Sequence, residues 1–86
     1  MNFKIIETSG EFPDVLVRAY KETNDGEDEF FVEISAVGSR GHGEQNSDHL
    51  FYSNAAFDGW NAARRFIRDF SLQSAEEWCI EHGASY

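Results

Sequence analysis

Asp25-Gly26 lies between two long strand-like stretches, and it constrains the fold more than any other pair of residues. A two-residue hairpin turn of type I′ needs positive φ at both central positions, which Asp-Gly supplies at low cost. Placing the turn there sets the register of both arms. Ala19 then faces Val32, Val17 faces Ile34 and Val15 faces Ala36. The other side pairs Tyr20 with Phe31, Arg18 with Glu33 and Leu16 with Ser35. One register gives an apolar face, an aromatic pair and a cross-strand ion pair.

The same register has a cost. Residues 22–33 hold six acids (Glu22, Asp25, Glu27, Asp28, Glu29 and Glu33) and no base. Glu22 falls opposite Glu29, and Thr23 opposite Asp28. Like charges directly across a ladder destabilise by roughly 0.2–1 kcal/mol per pair. A hairpin does not need that arrangement to fold. One reading is a solvated edge that keeps other sheets from pairing with this one. The other is a carboxylate array standing in for nucleic-acid phosphates. Residues on one strand face repeat every ~6.8 Å, a spacing comparable with that of phosphates along a DNA strand. In that reading all six acids bind a partner, with Tyr20 and Phe31 as the anchors between them.

The remaining elements follow from pattern. Phe3–Glu7 alternates as a first strand, and a turn over residues 8–14 holds the only proline, Pro13. Residues 38–48 form a polar, glycine-rich loop, with His49–Tyr52 as a short strand after it. Phe57, Trp60, Ala63, Ile67 and Phe70 recur at three and four, an amphipathic helix with Ser53 or Asn54 as N-cap. Ser74-Ala-Glu76-Glu77 reads as a capping box with Ser74 as N-cap of a second helix. Ala75, Trp78, Cys79 and His82 would face inward, and Gly83 would end that helix. Both tryptophans are expected in the core. The expected fold is α+β, in the order β-β-β-β-α-α: a small antiparallel sheet of three to four strands with two C-terminal helices on one face. Residues 1–86 are expected to form a single domain.

Sixteen acids against seven bases give a net charge of −9. That balance argues against nucleic acid or an anionic membrane as the direct ligand, and a basic protein is the physical complement. The 15% aromatic content fits a packed domain rather than an acidic tail. No apolar run approaches the ~20 residues of a membrane span. The first residues do not read as a signal peptide, so a cytoplasmic location is expected. Cys79 is the only cysteine and can form no internal disulfide.

Other constellations have ordinary readings. His42, Asp48, His49, Cys79 and His82 match no standard zinc spacing. Gly38, Gly41 and Gly43 do not lead into a helix, as a phosphate loop would. Cys79 with His82 lacks a third, orienting residue, so a buried structural thiol is expected. Arg64, Arg65 and Arg68 suit the C-terminal half of a helix, and one of them could also reach a partner. No cofactor, metal or enzymatic activity is expected.

Small size, strong acidity and a short antiparallel sheet with helices resemble the phage-encoded anti-CRISPR and anti-restriction inhibitors. Ala55-Ala56-Phe57-Asp58-Gly59-Trp60-Asn61, followed by an acid-rich helix, is similar to a stretch of a small anti-CRISPR protein that blocks a nuclease's DNA-reading cleft. The resemblance carries no residue over by position. It implies a non-enzymatic inhibitor that occupies the DNA or RNA site of a basic bacterial defence protein. The alternatives are an immunity protein or antitoxin on a basic nuclease toxin, and a small self-associating structural or regulatory subunit. A monomer or a homodimer is compatible with the inhibitor.

Overall fold

In the computed structural model, residues 2–8, 11–37, 47–53 and 59–84 are described, with only the backbone defined at 47–49 and 53. Asp25 has φ 53° and Gly26 φ 80°, the paired positive values of the expected turn. The turn joins β2 (Asp14–Asn24) to β3 (Glu27–Val37). Their pairing is the one that the Asp-Gly turn requires, from Asn24 opposite Glu27 to Asp14 opposite Val37. β1 (Phe3–Ile6) lines the outer edge of β2, with Phe3 opposite Arg18 and Ile6 opposite Val15. β4 (Ser47–Ser53) pairs antiparallel with β3 and completes a meander in the order β1-β2-β3-β4. It is longer than expected and takes in Asp48, which pattern had placed in the loop. Residues 38–46, with His42 and the three loop glycines, lie outside the described residues.

Strand alternation sends every second side chain of the hairpin to one face. On that face Val15, Val17, Val32, Ile34 and Ala36 are fully buried, and Ile6, Ala19 and Phe30 nearly so. Two helices cover it, as expected. α1 (Gly59–Asp69) contributes Ala63 and Ile67, and Phe70 follows directly. α2 (Leu72–His82) contributes Ala75, Trp78 and Cys79. Phe51 and Phe66 stack at 6.4 Å, tying β4 to α1. Of the two expected caps of α1, Ser53 belongs to β4 instead, well before α1 begins at Gly59, and Asn54, like Phe57, lies outside the described residues.

Two details of helix docking had no sequence signal. Lys4 reaches from β1 to the end of α1, where its ammonium donates to the carbonyls of Ile67 (3.2 Å), Arg68 (3.3 Å) and Phe70 (2.6 Å). The Ile67 carbonyl also accepts from the Phe70 N–H at 3.2 Å, and a cation at this end of the helix complements its dipole. At the other end, Gly59 sits directly against Phe30. A Cβ at Gly59 would overlap the Phe30 ring as far in as Cγ, so the side chain cannot simply swing clear. Gly59→Ala should cost about 1–3 kcal/mol by overpacking, against the gain an alanine normally brings to a helix. Urea denaturation checks this, and an unchanged or raised midpoint would refute the close approach.

Two expectations need correction. The N-cap of α2 is Ser71, not Ser74. Ser71 has extended backbone (φ −107°, ψ 176°), and its Oγ accepts from the Ser74 N–H at 3.2 Å. The chain leaves α1 at Phe70, and Ser71 is the next residue able to take the extended conformation a cap requires. Ser74 therefore lies inside the first turn. Glu77 accepts from Gln73 at 3.2 Å instead of completing a capping box. Trp60 is only partly buried, although Trp78 is 3% exposed. Standing at the start of α1, Trp60 packs edge-on against Phe30 at 5.3 Å and covers the core's rim. The C-terminus of α2 is as expected. Gly83 has φ 64° and donates to Ile80, while Ala84 donates to Cys79, the two bonds of a Schellman cap.

Candidate functional site

Because both helices lie on one face, the hairpin's other side chains face outward. Phe3 and Tyr52 are each 55% exposed and Ile5 is 54% exposed, while Leu16, Tyr20 and Phe31 are half-buried. Three of these rings form a row across the sheet. Tyr20 and Phe31 stack at 5.3 Å with 20° between planes, and Tyr52 continues the row at 5.4 Å from Phe31. The first pair was legible from the turn. Tyr52 was not, because its position depends on the pairing of β4. Val32 lies opposite Phe51 but Glu33 opposite His49, so Leu50 is an extra, bulged residue. No sequence signal marks that slip.

The six acids do not form one array. Glu22, Glu27, Glu29 and Glu33 share the face of the aromatic row. Asp28 falls on the opposite side, where it accepts from Thr23 Oγ1 at 2.7 Å and meets Lys21 Nζ at 4.0 Å. Asp25 sits in the turn. Residues 21–28 are all exposed, so this arm projects past the part of the hairpin that the helices cover. Glu22 and Glu29 stand directly opposite each other, as the turn predicted. Glu29 is partly compensated, accepting from Tyr52 Oη at 3.3 Å and from Asn24 Nδ2 at 3.4 Å.

Arg18 is held in the middle of this face. Its Nε donates to Glu33 Oε1 at 2.9 Å, and its guanidinium lies 4.8 Å over the Tyr20 ring. The ring quadrupole and the carboxylate thus act on one cation together. The surroundings also hold both phenols in their neutral form. Desolvation raises the Tyr20 pKa above 10.0, and Glu33 and Glu22 push it the same way. Tyr52 is raised by desolvation and by its neighbour Glu29. Both hydroxyls therefore keep their protons to a higher pH than a free phenol does.

The other expected sites are less developed. The Cys79 thiol is fully buried, and burial, with a smaller contribution from Glu76, raises its pKa above 9.0. An activated thiol needs the opposite shift. His82 stacks on Trp78 at 4.5 Å, and its Nδ1 lies 2.9 Å from the Trp78 carbonyl oxygen. A raised pKa in a group that ionises to an anion means that the folded state holds its proton longer than the unfolded state. Through Cys79, stability is fully present below about pH 9 and falls as pH rises beyond it. Urea midpoints measured across that range, in wild type and Cys79→Ala, check this. A wild-type midpoint that falls no more steeply than the variant's would refute it.

Among the described residues no three metal-ligating side chains come together, and no helix is long and apolar enough to cross a membrane. Arg64, Arg65 and Arg68 are exposed on α1, on the helix-bearing side of the molecule. No family model, curated protein or solved structure matches the chain.

Proposed function

We propose that this protein is a non-enzymatic inhibitor whose acidic, aromatic sheet face docks on the nucleic-acid-binding surface of a basic bacterial defence protein, such as a CRISPR effector, and competes with DNA or RNA. The observation that carries this reading is Arg18. The face already binds one arginine, its own, between a tyrosine ring and a carboxylate. Phe31 and Tyr52, with Glu29 beside them, offer the same combination of ring and carboxylate. Surfaces that bind nucleic acid are rich in arginine and lysine, so they are its chemical complement. Aromatic anchors such as tyrosine are common at interface hot spots, and charged groups around them steer the encounter. The overhanging arm, with Glu22, Glu27 and Glu29, would enter a cleft, and its charge would speed encounter. In the absence of a competing ligand, the exposed Phe3 and Ile5 also favour self-association, which light scattering at several concentrations measures.

The test uses purified CRISPR effectors and restriction nucleases, with and without their nucleic acid, by biolayer interferometry. Binding should weaken steeply between about 50 and 200 mM salt and be lost when DNA or RNA fills the site. A partner bound equally at both salts, or bound together with its nucleic acid, would refute competition.

A further inference from the structure

On the helix-bearing side, α1 and the edge strand β1 enclose an open groove of about 810 Å³. Its walls are Lys4, Asn61, Arg64, Arg65, Ile67 and Arg68. Four of the chain's seven lysines and arginines thus line one concavity, in a protein of net charge −9. They lie on the helix-bearing side, apart from the sheet face on which Arg18 pairs with Glu33. Residues 61, 64, 65 and 68 recur at helical spacing and form one ridge of α1.

The groove's cations have distinct roles. Lys4 is committed to the last carbonyls of α1. It offsets the partial negative charge that would otherwise repel an anion from this end of the helix. Arg64 lies 5.6 Å over the Trp60 ring, which orients its guanidinium. Arg68 pairs with Asp69 at 3.1 Å, but the side chains are 69% and 70% exposed. An ion pair that open holds the arginine weakly. Guanidinium groups present planar forks that match phosphate or carboxylate oxygens two at a time. Ile67 and the Lys4 stem add apolar wall beneath them.

Size and charge together select the ligand. A concavity of this volume falls in the range of small-molecule sites, roughly 300–1,000 Å³. A polyanion would extend past the groove and meet the surrounding acids. A compact anion would lie within about one Debye length, ~8 Å, of the guanidinium groups and would respond mainly to them. We infer that the α1–β1 groove binds a compact organic anion, a phosphate or carboxylate carried on a small apolar body. This site is separate from the sheet face and does not depend on its function.

The experiment is an NMR titration of the ¹⁵N-labelled chain with phenyl phosphate, inorganic phosphate and benzoate. Phenyl phosphate should give saturable shifts at the amides of Lys4, Asn61, Arg64, Arg65 and Arg68, at concentrations up to about 10 mM. It should bind about tenfold tighter than inorganic phosphate, since the phenyl ring gains the apolar wall. Comparison with benzoate tells whether the headgroup preferred is phosphate or carboxylate. The Arg65→Gln/Arg68→Gln variant changes only exposed side chains and should keep its spectrum elsewhere while losing about tenfold or more in affinity. Four results would overturn the inference. They are no saturable shift with any probe, unchanged affinity in the variant, or shifts centred on Tyr20, Phe31 and Tyr52. The fourth is movement of groove and hairpin-arm amides with protein concentration alone, which would make the acidic arm of a second copy the occupant.

Discussion

Trp78→Ala should cost about 3–5 kcal/mol, the largest loss expected from any single substitution in this chain. A domain of this kind has roughly 5–15 kcal/mol of stability in all, so the variant should lose a large part of it. The effect comes from packing. Trp78 is 3% exposed and stands on α2, where its ring fills the core beside Ala75 and Cys79 and stacks on His82. Its indole N–H is buried with no hydrogen-bond partner among the described residues. Trp78→Phe removes that unmet donor together with some volume, so it should cost much less than the alanine variant. Urea denaturation of both variants checks the pair. Equal losses would mean that the indole nitrogen has a partner that matters. Tryptophan emission separates the two indoles: a Trp60→Phe variant should emit further to the blue than wild type, because the remaining ring is the buried one.

Phe31→Ala should weaken partner binding about thirtyfold or more, a loss of at least ~2 kcal/mol at a central aromatic anchor. Phe31 is the middle ring of the row and touches both Tyr20 and Tyr52, so its loss separates the two outer rings. Most of the change should appear in the dissociation rate. Neutralising Glu22, Glu27 and Glu29 to glutamine should act differently. It should slow association by about an order of magnitude and reduce the salt dependence. It should leave the fold intact or slightly more stable, because Glu22 and Glu29 no longer repel. The control neutralises Glu7, Glu11 and Glu81, which are exposed and lie away from the arm. If the two triple variants bind alike, net charge alone matters and this face is not a mimic. If both bind normally while Arg64→Ala abolishes binding, the active surface is the helix.

Local chemistry was legible wherever one short-range rule decided it. The Asp25-Gly26 turn set the whole β2–β3 ladder, because a side-chain period of two leaves no freedom once the turn is placed. It therefore also gave the Tyr20–Phe31 stack, the Arg18–Glu33 pair and the opposition of Glu22 to Glu29. Gly83 was legible as a cap for the same reason: a left-handed residue after a helix is a local requirement. The cap of α2 shows where such reasoning stops. Ser74 has the better motif, but Ser71 stands where α1 ends, and the site of that break is set by how α1 packs on the sheet.

The sequence by itself determined the hairpin, the element order, and which side chains of β2 and β3 go to the core. These depend on turn geometry and periodicity, which act over a few residues. Only the tertiary structure decided the rest. It set the bulge at Leu50 that brings Tyr52 into the aromatic row, and the reach of Lys4 to the end of α1. It pressed Gly59 against Phe30 and gathered three arginines and a lysine around one groove. Each of these joins elements far apart in the chain. Their relative placement is set by the packing of helices on a sheet, and no local preference encodes it.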